Sequence, residues 1–184
     1  MAVKSNIKNM VLSLTLVCLV CSVLLGGVYN VTAEPIKKAA AARTAASIAR
    51  VLPPFDSEPQ EHRTELGGVQ FVYYSVEGAG IAVVSTTAGF GGPLTVMVGI
   101  GEDGLIVNSV VLSHSETPGL GAKCAVDEAF RGQFEGFDPA SKRLAVTRDG
   151  GDIDAITAST ISSRAYTAAV AQAYEVYKKV SGNE

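Results

Sequence analysis

Residues Met10 to Tyr29 contain no charged side chain. At helical rise, about 20 such residues cross the hydrocarbon core of a bilayer. No other stretch limits the chain so strongly, because everything after it has to fold beside a membrane. Lys4 and Lys8 precede the run, which predicts a cytoplasmic N-terminus and a remainder outside the cytoplasm. Lys37, Lys38 and Arg43 follow it and pull the other way. Val31-Thr-Ala33 is a passable signal-peptidase site, so a cleaved leader is the alternative to an anchor. The run is long for a leader, and the tripeptide sits well beyond its apolar core, which favours an uncleaved single-pass anchor. The expected layout is a tip and anchor over 1–33, a helical linker and loop over 34–66, and a folded domain over 67–184.

The apolar share of 47% owes much to the anchor, and the net charge is −3. Neither the charge nor any basic run interleaved with aromatics suggests nucleic acid. Cys18 and Cys21 lie inside the apolar run and Cys124 stands alone, so the soluble part has no internal disulfide. Within a membrane helix the CxxC spacing places two small apolar side chains on one face. His62 and His114 are far apart in sequence, which argues against a metal site.

Glu34 to Leu52 is rich in Ala and reads as a second helix, with Pro35 in its first turn and Pro53-Pro54 as its stop. Residues 53–67 read as loop. Four β-rich runs follow: Val69–Val76, Ile81–Thr87, Leu94–Ile100 and Leu105–Ser113. Their short Gly-containing connections predict an antiparallel sheet. Gly99-Ile-Gly-Glu-Asp-Gly104 is a formal GxGxxG, but it leads into a strand. It is therefore a hairpin turn and not a dinucleotide loop. Ala125–Phe130 reads as a short helix and Lys142–Arg148 as a short strand. The final helix is predicted over Thr160–Val180, its stripe running through Ile161, Ala165, Ala168, Ala169, Gln172, Val176 and Val180. Tyr166, Val170, Ala173 and Tyr177 widen that stripe. The fold class is α+β: an antiparallel sheet packed with helices, preceded by one transmembrane helix.

Two segments carry chemistry. Asp154-Ala-Ile-Thr-Ala-Ser-Thr160 opens the last helix, with Ser162 and Ser163 just beyond. A helix start presents free N–H groups and a positive dipole end, so hydroxyls there hold a phosphate or become its attachment point. The plainer reading is an ordinary N-cap. A capping Thr160 would contribute about 0.5–2 kcal/mol. The second segment, His114-Ser-Glu-Thr-Pro-Gly-Leu-Gly-Ala-Lys123, places polar and apolar side chains between Pro and Gly. Binding loops are built this way, and so are plain surface loops.

Both segments resemble the FMN-binding domain family, over roughly Gly89 to Ala169. Its flavinylation motif is Asp-x-x-Ser/Thr-Gly/Ala-Ala-Thr, with the last Thr esterified to the FMN phosphate. The match assigns covalent FMN to Thr160, with Ser159, Thr157 and Asp154 in the same segment. Ser159 stands where the family more often has Ala, and Ala158 where it often has Gly. Glu-Thr-Pro-Gly-Leu-Gly resembles the second motif, which implies that Glu116, Thr117, Leu120 and Gly121 line the flavin site. Within the family, the likeness is greatest to the G subunits of Rnf-type ion-translocating electron transport complexes. It extends to the C subunits of sodium-translocating NADH:quinone reductases.

That resemblance implies an electron-carrying component of an oxidoreductase, not catalytic alone, in a bacterial inner membrane. Its FMN domain would face the extracytoplasmic side. The implied partners are the other subunits of the complex, the membrane, and a flavin transferase that uses FAD and magnesium. The competing reading is a membrane-anchored binding or assembly module without a cofactor of its own.

Overall fold

The computed structural model describes residues 7–182. Lys4, half of the expected basic flank, lies outside them. The chain divides into two compact units, 1–44 and 45–184.

The first unit is helical. Helix α1 spans Ile7–Val51, with Pro35 in its interior. The apolar run and the Ala-rich segment therefore form one helix, and Pro35 does not open a second one as the sequence suggested. An interior proline removes one backbone hydrogen bond. The Ala-rich sequence on its C-terminal side has strong helix propensity and carries the helix on. The side chains of the apolar run are exposed, and the helix is long and apolar enough to cross a membrane.

The second unit is a five-stranded antiparallel meander with order β1-β2-β3-β4-β5. The strands are β1 (Gln60–Leu66), β2 (Val69–Val76), β3 (Gly80–Ala88), β4 (Pro93–Ile100) and β5 (Ile106–His114). Strand β1 lies in the stretch expected as loop. Its sequence, QEHRTEL, has almost no apolar signal because it is an edge strand, mostly exposed and paired only with β2. Residues 45–66, read from sequence as linker and loop, thus supply the last turns of α1 and the sheet edge. The predicted strand over Lys142–Arg148 is absent. That segment makes turns, a 3-10 turn at Thr147–Asp149 and one bridge from Val146 to Ile153. The carboxylate of Asp152 takes the Arg143 N–H at 2.7 Å, so local side-chain bonding replaces a ladder there.

Both faces of the sheet are packed. On one, Ile48, Val51 and Leu52 meet Val76, Ala79, Ala82 and Met97. Gly99, taken from sequence as a turn glycine, lies in β4 under the end of α1. A Cβ there would strike the Val51 carbonyl. On the other face lies α4 (Thr160–Val180), with the short helices α2 (Lys123–Val126) and α3 (Glu128–Arg131) nearby. Tyr166 is the largest fully buried side chain. It meets the rings of Phe130 and Phe134 at centroid distances of 5.2 and 5.1 Å. Its hydroxyl bonds Ser109 Oγ at 2.7 Å. Thr87 Oγ1 donates to the Ala165 carbonyl at 2.8 Å. These bonds fix α4, and with it the helix start, in register with β3 and β5. The expected stripe holds except at Ile161, Ala168 and Gln172, which are exposed.

Candidate functional site

Helix α4 begins at Thr160 with Ser159 in the N-cap position, and the Ser159 side chain makes no capping bond. Ser163 is the first residue whose N–H bonds back, to the Ser159 carbonyl at 2.9 Å. The N–H groups of Thr160, Ile161 and Ser162 have no acceptor among the described residues. The residue Ser159 is buried, and its Oγ has no hydrogen-bond partner. An unpaired buried hydroxyl costs about 1–3 kcal/mol. Directly before it, Ala158 adopts φ 61°, the left-handed region that non-glycine residues rarely enter. This strained residue turns the chain so that Ser159 and Thr160 face one cleft.

That cleft has a volume of about 350 Å³ and joins the two sequence segments. Glu116, Thr117, Leu120 and Gly121 line one side; Ser159 and Thr160 line the other. Phe90, from the turn between β3 and β4, and Ile161 complete the mouth. Both are exposed, at 69% and 50%. Phe90 does not stand out in the sequence because it falls in Gly89-Phe-Gly-Gly-Pro93, one of the short Gly-containing connections between strands. An aromatic placed between glycines in a turn was the available signal. Ile161 was assigned to the core stripe.

Asp154 and Thr157 lie elsewhere. They line a neighbouring cavity of about 490 Å³ with Lys123, Asp127, Phe130 and Gln133. Gln133 holds the Asp154 backbone at both ends: Oε1 accepts the N–H at 2.7 Å and Nε2 donates to the carbonyl at 3.1 Å. Ser162 and Ser163 also differ from expectation. Ser163 Oγ accepts from Ile156 N–H at 3.0 Å and donates to the Ser159 carbonyl at 3.0 Å. Ser162 donates to Glu116 at 2.6 Å. Both hydroxyls are committed to the protein and shape the segment.

Cys124, buried behind the loop, has its thiol pushed up to about 11, by burial first and by the charge of Glu116 second. Among the described residues no group of His, Cys, Asp and Glu could hold a metal ion.

The model of the FMN-binding domain family matches residues 89–175. The G subunit of the ion-translocating oxidoreductase complex of Cereibacter sphaeroides is 34% identical, covering 84% of this chain and 76% of its own length. The chain belongs to this family. The G subunit of the proton-translocating ferredoxin:NAD(+) oxidoreductase complex of Clostridium ljungdahlii is 29% identical, covering 94% and 92%. Its counterpart in the ion-translocating oxidoreductase complex of Methanosarcina acetivorans is 30% identical, covering 99% and 100%. The match to these G subunits thus runs through the N-terminal helix as well as the FMN-binding domain.

The cleft suits FMN in both of its halves. Its helix-start end offers three free N–H groups and an orphaned buried hydroxyl, which suit a phosphate. Its mouth offers Phe90, Leu120 and Ile161, which suit an aromatic ring.

Proposed function

We propose that this chain is the membrane-anchored, electron-carrying flavoprotein of an Rnf-type ion-translocating oxidoreductase complex, with FMN joined to Thr160 as a phosphoester. The observation that carries this reading is the convergence of the Glu116–Gly121 loop and the Ser159-Thr160 end of the other segment on one cleft, beside the unpartnered Ser159 hydroxyl. Bound FMN would supply reversible electron acceptance and release. The protein supplies the rest.

Thr160 offers a hydroxyl without a hydrogen-bond partner among the described residues, half-buried at the first position of a 21-residue helix and lining the cleft. A flavin transferase would bring FAD. The Thr160 oxygen would take the FMN phosphoryl group, AMP would leave, and the hydroxyl proton would pass to the solvent or the transferase. The ester phosphate keeps negative charge, which the free N–H groups and the helix dipole stabilise. Ser159 Oγ would gain the acceptor it lacks. Leu120 and Phe90 would bound the ring and exclude water from it. Asp154 and Thr157, held away from the cleft, would serve the transferase and not the finished cofactor site.

The other subunits of the complex would donate and accept the electrons. The helix α1 would hold the domain at the membrane, with Lys8 on the cytoplasmic side and the FMN domain outside.

The intact mass of the purified full-length protein tests the reading. The expected result is an increase equal to FMN less water that vanishes in Thr160→Val. An unmodified mass after expression with the transferase would sink it, and an increase that persists in Thr160→Val would move the attachment to another hydroxyl. Fusing a reporter after the C-terminus tests the side of the membrane: activity of a cytoplasm-only reporter there would reverse the orientation.

A further inference from the structure

Glu116 is 5% exposed, and it has no ion-pair partner among the described residues. A carboxylate in that position is costly unless its bonds do something specific. Its Oε2 accepts the Ser162 hydroxyl at 2.6 Å, and its Oε1 accepts the Gly91 N–H at 3.3 Å. Its own N–H donates to His114 Nδ1 at 3.2 Å. Two glycines leave room for the carboxylate. A Cβ on Gly89 would strike Oε1, and one on Gly121 would strike Oε2.

One side chain therefore joins three stretches that are distant in sequence: the turn after β3, the loop after β5 and the start of α4. Each of these stretches sends one exposed apolar side chain to the cleft mouth. They are Phe90, Leu120 and Ile161, at 69%, 47% and 50% exposure. We propose that Glu116 is the positioning residue of the cleft, setting the spacing of its three walls and placing a fixed negative charge beside the bound flavin. Ser159 and Thr160 lie three and two residues before Ser162, so the same strut also sets how far the attachment point stands from Leu120. The charge acts in a confined, partly apolar space, where it is weakly screened. It opposes the addition of electrons to whatever the cleft holds.

The spacing is independent of the flavin; the effect on potential rests on the FMN reading above. The first measurement is therefore amide hydrogen exchange on flavin-free protein, in the Thr160→Val background. Adding Glu116→Ala should speed exchange roughly tenfold or more at the bonded amides of Gly89, Gly91, Ser159 and Ser163, while β1 and β2 are unchanged. Unchanged exchange, or uniform acceleration across the sheet, overturns the strut. The second measurement uses flavinylated full-length protein. Glu116→Gln preserves the shape and removes the charge. It should keep the flavin's fluorescence anisotropy and move its midpoint potential to a more positive value. An unchanged potential overturns the role of the charge. If wild-type protein carries no flavin mass, the covalent reading has failed, and hydrogen exchange alone decides the case of Glu116.

Discussion

Gln133 grips Asp154 by its backbone, accepting the N–H at 2.7 Å and donating to the carbonyl at 3.1 Å. The first residue of the segment proposed to carry the flavin is thus held by a side chain that no part of the motif encodes. Gln133→Ala should lower stability by about 1–2 kcal/mol, for two partly exposed bonds. It should also slow flavin incorporation more than it lowers stability, since the segment becomes mobile before it melts. Urea denaturation and in-gel flavin fluorescence of the same preparations would check this; normal incorporation would sink it.

Thr160 and Ser159 should behave oppositely. The Thr160 hydroxyl has no partner among the described residues, and the cap position belongs to Ser159. The capping contribution expected for Thr160 is therefore missing. Thr160→Val should abolish covalent flavin and change the stability of flavin-free protein by about 0.5 kcal/mol or less. Ser159→Ala removes an unpaired buried hydroxyl. It should stabilise the flavin-free protein by about 1 kcal/mol and lose that advantage once FMN is attached. Thermal melts with and without the transferase separate these outcomes.

Ala158 at φ 61° stores backbone strain. Ala158→Gly relieves it and should stabilise the chain by about 0.5–1 kcal/mol, after the greater chain entropy of Gly is deducted. Ala158→Val adds a β-branch to the same conformation and should cost about 1–3 kcal/mol. Chemical denaturation checks both, and equal effects would mean that the turn relaxes freely.

Arg164 and Asp149 form a two-point ion pair, with both contacts at 2.6 Å. The Arg164 hydrogen bond is the main cause holding the Asp149 carboxyl below its usual value. A depressed folded-state pKa means stability that is present above the unfolded value, about 4, and lost as pH falls through the lower folded value. Below about pH 4 the wild type should therefore lose stability more steeply than Asp149→Asn. Coincident acid titrations of the two proteins would refute this. High salt should shrink the difference, because the pair is partly exposed.

The sheet and the last helix were legible because their signals are local. Val69–Val76 and its successors form β-rich runs between glycines, and Thr160–Val180 repeats at helical period. Strand β1 was not legible, since an exposed edge strand needs no apolar pattern and QEHRTEL has none. Pro35 misled because helix propensity on both sides outweighs one lost bond. Thr160 and Leu120 stood out as motif residues, and both line the cleft, but the separate placement of Asp154 and Thr157 was not readable. It depends on the bend at Ala158 and on Gln133, neither of which has a sequence period. Glu116 was named as a flavin contact; the structure gives it bonds to Ser162 and Gly91, which only three-dimensional closure reveals.

The meander of β1 to β5 joins each strand to its neighbour in sequence. Such local pairing can form early in folding, as short-range contacts do. The cleft cannot, because its walls are the turn after β3, the loop after β5 and the first turn of α4, the last element of the chain. A ribosome must release nearly the whole polypeptide before the cleft exists. If a transferase loads the cleft as proposed, the order of assembly acts as quality control, because a truncated or half-docked chain would offer that enzyme no substrate.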